Sequence, residues 1–102
     1  MNIEPKLSIE ETRDIVETKT APRVTEASIK ARIKNVDYLY FQQLTIAIIT
    51  MTNGFMVQGV SAPASAANFD AEVGKRYAYD NAFKQLWMLE GYLLREKLAF
   101  GS

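Results

Sequence analysis

An Asn-Gly pair set between two β-rich runs constrains this chain more than any other feature. The stretch Leu44 to Ala62, LTIAIITMTNGFMVQGVSA, holds Asn53-Gly54 at its centre. Both central residues of a type I′ turn take positive φ, which Asn and Gly tolerate best, so the pair predicts a two-residue hairpin loop. With that loop Thr52 pairs with Phe55, Thr50 with Val57, Ile48 with Gly59 and Ile46 with Ser61. One face then carries Leu44, Ile46, Ile48, Phe55 and Val57, and the other Ala47, Ile49, Met51, Met56 and Val60. Both faces are apolar, whereas a solvent-facing hairpin keeps one face polar. The hairpin needs cover on two sides.

The chain has 102 residues, room for one domain and no second core. Twelve Lys and Arg balance twelve Asp and Glu, so the basic excess of a non-specific nucleic-acid binder is missing. Cysteine and histidine are both absent. That excludes disulfides, thiolate chemistry, histidine-based triads and the two commonest transition-metal ligands. The first twenty residues carry five carboxylates, unlike a signal peptide, and the apolar run Leu44 to Met51 falls far short of a membrane span of ~20 residues. The expectation is a soluble intracellular protein.

Residues 1–20 read as a flexible arm or peripheral helix. Ser8 and Glu11 form a capping box that opens a helix running to about Lys19, with a thin stripe of Ile9, Thr12, Ile15 and Val16. Pro22 breaks it. Thr25 then caps a second short helix, Glu26 to about Lys34, which buries Ile29 and Ile33 and sets Lys30 and Lys34 on one face. Lys19 to Lys34 holds five basic residues against one Glu, a local balance of +4. Val36 to Phe41 suits a third short strand, with Tyr38, Tyr40 and Phe41 lining the core.

Ser61 to Ala67 is a small-residue loop closed off by Pro63. Asn68 or Ser65 caps a long helix, with Asp70 in its first turn, that runs to about Leu98; residues 99–102 form a tail. On a wheel, Ala71, Ala78, Tyr79, Ala82, Phe83, Leu86, Trp87, Leu89, Leu93 and Leu94 fill half the circumference. That arc is wider than an ordinary amphipathic stripe of ~100°. Tyr77, Asn81, Lys84, Met88, Gly91 and Arg95 lie opposite. Gly74 and Gly91 sit inside the helix at a cost of ~1 kcal/mol each, which suggests close approach of another backbone or a kink. Lys75 alone interrupts the apolar arc, its stem lying along the core while its ammonium reaches the end of it.

The fold class is therefore α+β: two short N-terminal helices, an antiparallel hairpin with a possible third strand, and one long C-terminal helix, with residues 21–98 as the single domain and the first helix in the arm before it. The hairpin's second face and the helix's surplus circumference are both left uncovered. A homo-oligomer, dimer or tetramer, resolves both.

APRVT (21–25), the hairpin stretch (44–62), NFDAEVGKR (68–76) and WMLEGYLLR (87–95) resemble a family of short tailed-phage and prophage proteins. The family takes its name from gene product 49 of one phage and gene 66 of another. The resemblance spans about residues 21–98. It implies a phage accessory protein made in the host bacterial cytoplasm, and it implies no catalytic residues. Small phage proteins of unrelated families counter host defence by sequestering nucleotide-type signals, which is analogy rather than homology.

Two functions fit the residues. The first is a homo-oligomeric module that sequesters a small anionic nucleotide ligand, with Ser61, Ser65, Asn68, Lys75, Arg76, Tyr79, Arg23 and Lys30 as its candidate contacts. The second is a module that binds a host protein through Tyr77, Asn81, Met88 and Arg95; a structural or morphogenetic role stands beside it. No phosphate-cradling glycine loop, metal cluster or nucleophile–base pair can be assembled, so no enzyme, cofactor or metal is expected.

Overall fold

A computed structural model describes residues 6–17 and 21–101. The order is α1 (Ile9–Glu17), α2 (Glu26–Lys30), β1 (Ile33–Phe41), β2 (Leu44–Met51), β3 (Met56–Ser61), a 3₁₀ turn (Ala66–Asn68) and α3 (Ala71–Phe100). The strands form one antiparallel sheet in the order β1-β2-β3, and α3 packs across β2 and β3. The α+β class holds, with the third strand a full partner.

Local chemistry accounts for most boundaries. The Glu11 N–H donates to Ser8 Oγ (3.0 Å) and the Ser8 N–H to Glu11 Oε1 (3.3 Å), the expected capping box of α1. The expected last residues of that helix, Thr18 and Lys19, lie outside the described residues. At α2 the cap is reciprocal as well, Thr25 Oγ1 accepting from the Ser28 N–H (3.0 Å) and Ser28 Oγ from the Thr25 N–H (2.9 Å).

α2 is shorter than its sequence suggests. It stops at Lys30, and Ile33 opens β1 by pairing with Met51. The Thr52 N–H also donates to the Arg32 carbonyl (2.8 Å). The β-rich run IKNVDYLYF finds a strand partner, and that overrides the i, i+4 pattern of Ile29 and Ile33. Lys30 and Lys34 consequently share no helix face. Tyr38 is half-buried, but Tyr40 and Phe41 are exposed at the strand end, not core-lining.

The hairpin register differs by one residue from the two-residue-loop expectation. Observed pairs are Thr50 with Met56, Ile49 with Val57, Ile48 with Gln58, Ala47 with Gly59 and Thr45 with Ser61. The loop has three residues: the Met51 N–H donates to the Phe55 carbonyl (2.8 Å) and the Gly54 N–H to the Met51 carbonyl (2.9 Å). Gly54 alone in this loop takes positive φ, 89°, the left-handed step that follows a type I turn in three-residue hairpins. Asn53 Oδ1 accepts from the Phe55 N–H (3.0 Å), an Asx turn. Because side chains alternate, the slip moves every β3 side chain to the opposite face.

The inner face thus carries Thr45, Ala47, Ile49 and Met51 with Val57 and Gly59, all buried. Ala78, Ala82, Phe83 and Leu86 of α3 cover it, and Ile29 of α2 closes the end of the core. A Cβ on Gly59 would collide with the Ala78 carbonyl and the Ala82 nitrogen, so only glycine lets β3 lie this close to α3. Gly74 does the same against Thr45, whose Oγ1 would sit 2.7 Å from an added Cβ. Gly91 has open space around it and marks no close approach.

α3 is capped by neither Asn68 nor Ser65. Asp70 is the N-cap, its Oδ1 accepting from the Glu72 (2.9 Å) and Val73 (3.1 Å) amides, while Ser65 caps the preceding 3₁₀ turn. A carboxylate satisfies two amides and complements the helix dipole, which neither neighbour matches. The helix ends at Phe100, two residues beyond Leu98, with Gly101 left-handed at its C-cap (φ 69°).

Among the described residues no helix packs on the outer sheet face. Leu39, Ile46 and Val60 form a row across all three strands, Phe41 and Leu44 extend it, and Asp37, Ile48 and Gln58 form the next row. Phe41 is 67% exposed, Met56 61%, Leu39 52% and Val60 44%. The molecule is a slab of 48 × 43 × 22 Å with a radius of gyration of 17.0 Å. A compact chain of this length has about 12.8 Å.

Candidate functional site

The sheet's inner face, α2 and the first half of α3 frame a cleft of about 380 Å³ that gathers four of the expected ligand contacts, Lys30, Lys75, Arg76 and Tyr79. Tyr38 joins them from β1. The Lys75 ammonium lies 5.5 Å from the Tyr38 ring centroid, and the Arg76 guanidinium 5.7 Å from that of Tyr79. Burial, reinforced by Tyr79, raises the Tyr38 phenol above its ordinary range, against the opposing pull of Lys75. Glu72, seconded by Tyr40, raises Lys75 and keeps it protonated.

Every cation in this cleft has a carboxylate partner. Lys30 pairs with Glu26 (3.2 Å), Lys75 with Glu72 (3.5 Å) and Arg76 with Asp80 (2.7 Å). Three positive charges meet three negative ones. The pairs are solvent-exposed, worth little individually, and an anion entering here has to displace them.

The remaining expected contacts lie elsewhere. Ser61 and Asn68 line a hollow of about 130 Å³ with Pro63, Phe69 and Tyr77. Ser65 Oγ accepts from the Ala67 N–H (3.3 Å). Arg23 sits at the far end of α2. Of the stripe expected to meet a host protein, Tyr77 (60%) and Met88 (81%) are exposed, as is Arg95. Asn81 is not available, because its Nδ2 donates to the Val60 carbonyl (2.9 Å), tying α3 to β3.

Two further pockets flank an ion pair that the sequence does not announce. Arg32 Nε donates to Glu90 Oε1 at 2.6 Å, and the Glu90 side chain is only 11% exposed. Below the hairpin loop this pair borders an apolar pocket of about 280 Å³, walled by Met51, Phe55, Leu86, Leu89 and Tyr92. On its other side lies a pocket of about 170 Å³ where Arg23, Arg32 and Lys97 converge over Val24, Leu93 and Leu94. Arg32 and Glu90 stand 58 positions apart, so only the topology reveals the cluster.

Among the described residues no three acidic, His or Cys side chains gather to hold a metal ion. Among the same residues no helix is long and apolar enough to cross a membrane.

The three-stranded sheet and the long helix behind it run from Ile33 to Phe100, and residues 24–98 match the phage protein (N4 Gp49/phage Sf6 gene 66) family. The chain belongs to this family. The match runs from Val24, just before the α2 cap, to Leu98 near the end of α3. In this N4 Gp49/Sf6 gene 66 family member, α1 lies outside the matched region, whereas the cleft and both pockets beside Arg32 draw most of their walls from within it. No curated protein and no solved structure matches the chain.

Proposed function

We propose that this phage protein is an accessory binding module of the host cytoplasm that works as a homo-oligomer and holds a small anionic, nucleotide-type ligand on its α3 side. It binds rather than catalyses. The observation that carries the assembly is surface. A compact monomer of 11.5 kDa exposes about 5,800 Å². This chain exposes 7950 Å². The difference, about 2,100 Å², is within what one partner of a permanent complex buries. Part of it belongs to α1, which stands off the core, and the apolar outer sheet face supplies a continuous patch for the rest.

A second copy is the occupant that suits this face. It bears one formal charge, Asp37, and two copies related by a two-fold axis lay the Leu39–Ile46–Val60 rows against each other as stacked sheets. Native mass spectrometry of the intact chain tests the assembly. The expected result is a dimer or tetramer that Leu39→Glu with Val60→Glu converts to a folded monomer; a wild-type monomer overturns it. Retention of a nucleotide-type molecule in the same spectrum tests the ligand.

The second reading, a host-protein binder, has its support in Met88 and Tyr92, 81% and 70% exposed on α3. A host complex abolished by Met88→Glu and indifferent to the outer-face changes favours it.

A further inference from the structure

We propose that the open edge of β1 pairs with β1 of a second copy, antiparallel about a two-fold axis at Tyr38, and joins the two sheets into one. This rests on the homo-oligomer of the reading above and adds a second contact to it, at right angles to the stacked outer faces.

The alternation of ladder bonds fixes which backbone groups are free. The Met51 N–H donates to the Phe55 carbonyl, so along β2 the residues Ile49, Ala47 and Thr45 bond to β3, while Ile48, Ile46 and Leu44 turn toward β1. Their partners Asp37, Leu39 and Phe41 bond inward. The N–H and C=O groups of Val36, Tyr38 and Tyr40 therefore point away from the sheet. Among the described residues no turn or loop bond takes them up.

The opposite edge is closed. Gln58 and Val60 turn their backbone outward on β3, but α3 meets both: Asn81 Nδ2 donates to the Val60 carbonyl (2.9 Å) and Gln85 Nε2 to the Gln58 carbonyl. β1 has a strand neighbour on one side only, β2. Its stretch Val36 to Phe41 holds no proline or lysine to blunt the edge, and its bulge lies earlier, between Ile33 and Asn35.

Register points to a second copy as the occupant. A two-fold axis at Tyr38 sets Tyr38 opposite its own counterpart and Val36 opposite Tyr40, so every free N–H and C=O of these residues is used in both copies. The side chains that meet on the inner face are aromatic and β-branched, a favourable cross-strand set. On the outer face Asp37 stands opposite Leu39. An axis at Asp37 would set two carboxylates against each other, and one at Leu39 would leave Val36 opposite Gln42 in the turn. Pairing at Tyr38 also lays two Lys75–Tyr38 clefts side by side over one continuous floor, so the anion site draws on both chains.

Native mass spectrometry of the full chain, together with amide hydrogen exchange followed by NMR, is the experiment. The wild type should be a tetramer closed by the two contacts. Val60→Glu, which touches the stacked faces alone, should leave an edge-paired dimer. Tyr40→Pro removes an outward N–H at a half-exposed side chain and should leave a stacked dimer; both changes together should give a monomer. Leu39→Glu faces Asp37 of the second copy as well as the stacked sheet, so the double change named above opens both contacts. In the wild type and in Val60→Glu the Tyr38 amide should exchange about a hundredfold or more slower than an unpaired amide, which keeps the test decisive if Tyr40→Pro does not fold. A wild-type monomer overturns the proposal and the homo-oligomer reading together. A dimer dissolved by Val60→Glu and kept by Tyr40→Pro, with fast exchange at Tyr38, overturns the edge pairing and leaves the stacked faces standing. Fast exchange at Tyr38 that slows only in complex with a host protein assigns the edge to that partner and overturns self-pairing.

Discussion

Gly59 of β3 meets the Ala78 carbonyl of α3 with no side chain between them. This contact sets the distance between sheet and helix for the whole molecule, because Ala47, Ala78 and Ala82 around it are also small and fully buried. A methyl at Gly59 strikes backbone rather than a movable side chain. Gly59→Ala is expected to cost about 3 kcal/mol, the upper end for overpacking. Gly91, with nothing near it, offers the contrast: Gly91→Ala should stabilise by about 0.5–1 kcal/mol through helix propensity alone. Urea denaturation of the two variants gives opposite shifts in midpoint.

Thr45 is fully buried and its hydroxyl has no hydrogen-bond partner. Valine has nearly the same shape without the desolvated oxygen. Thr45→Val should therefore raise stability by about 1 kcal/mol. A lowered melting temperature in that variant would show that the hydroxyl is satisfied in solution.

Among the described residues' ion pairs named above, Arg32 and Glu90 are the least exposed, 35% and 11% by side chain. Removing Glu90 leaves a half-buried guanidinium without its counter-charge. Glu90→Ala should cost about 2 kcal/mol, less than the 3–5 kcal/mol of a fully buried pair since Arg32 keeps contact with water. Arg76→Ala breaks a comparable bond at the surface and should cost under about 0.5 kcal/mol. Thermal melts of both at matched ionic strength make the comparison.

The Tyr38 phenol is raised by burial and by Tyr79, so the folded chain holds its proton at a pH where the unfolded chain releases it. Lys75, raised by Glu72, works in the same direction. With both folded values above the unfolded ones, their contributions are complete below about pH 10 and fade as pH rises beyond it. Stability should fall on the alkaline side, and Tyr38→Phe should flatten part of that fall. Tyrosinate absorbance against pH, with the same variant as control, locates the group.

Much of this architecture was legible because it is written locally. Ser8, Thr25 and the Asn53-Gly54 pair act within four residues of themselves, and α3 declares its period over 30 residues. The hairpin register was not legible, since Asn-Gly serves a two-residue loop and a three-residue loop alike; the choice lies in how Val57 and Gly59 pack beneath α3. The β1–β2 turn carries no glycine or asparagine, only Gln42 at a φ of 55°, so nothing in the sequence advertised a second hairpin. The sequence pattern puts Asp70 in the first turn of α3, one position too far in, because its carboxylate is the N-cap. At the candidate sites the lysines and tyrosines were found by type, but their carboxylate partners and the meeting of Arg23 and Arg32 with Lys97 depend on a fold that joins the two ends of the chain.

The order of synthesis gives one last meaning to the position of α3. All three strands leave the ribosome before the helix that shelters their inner face has been made. During that interval the sheet is apolar on both sides and its outer strands, β1 and β3, are unpaired at their edges. The nascent chain is thus most prone to aggregate between the completion of Ser61 and the arrival of Leu86, and a host chaperone that engages it has that window in which to act.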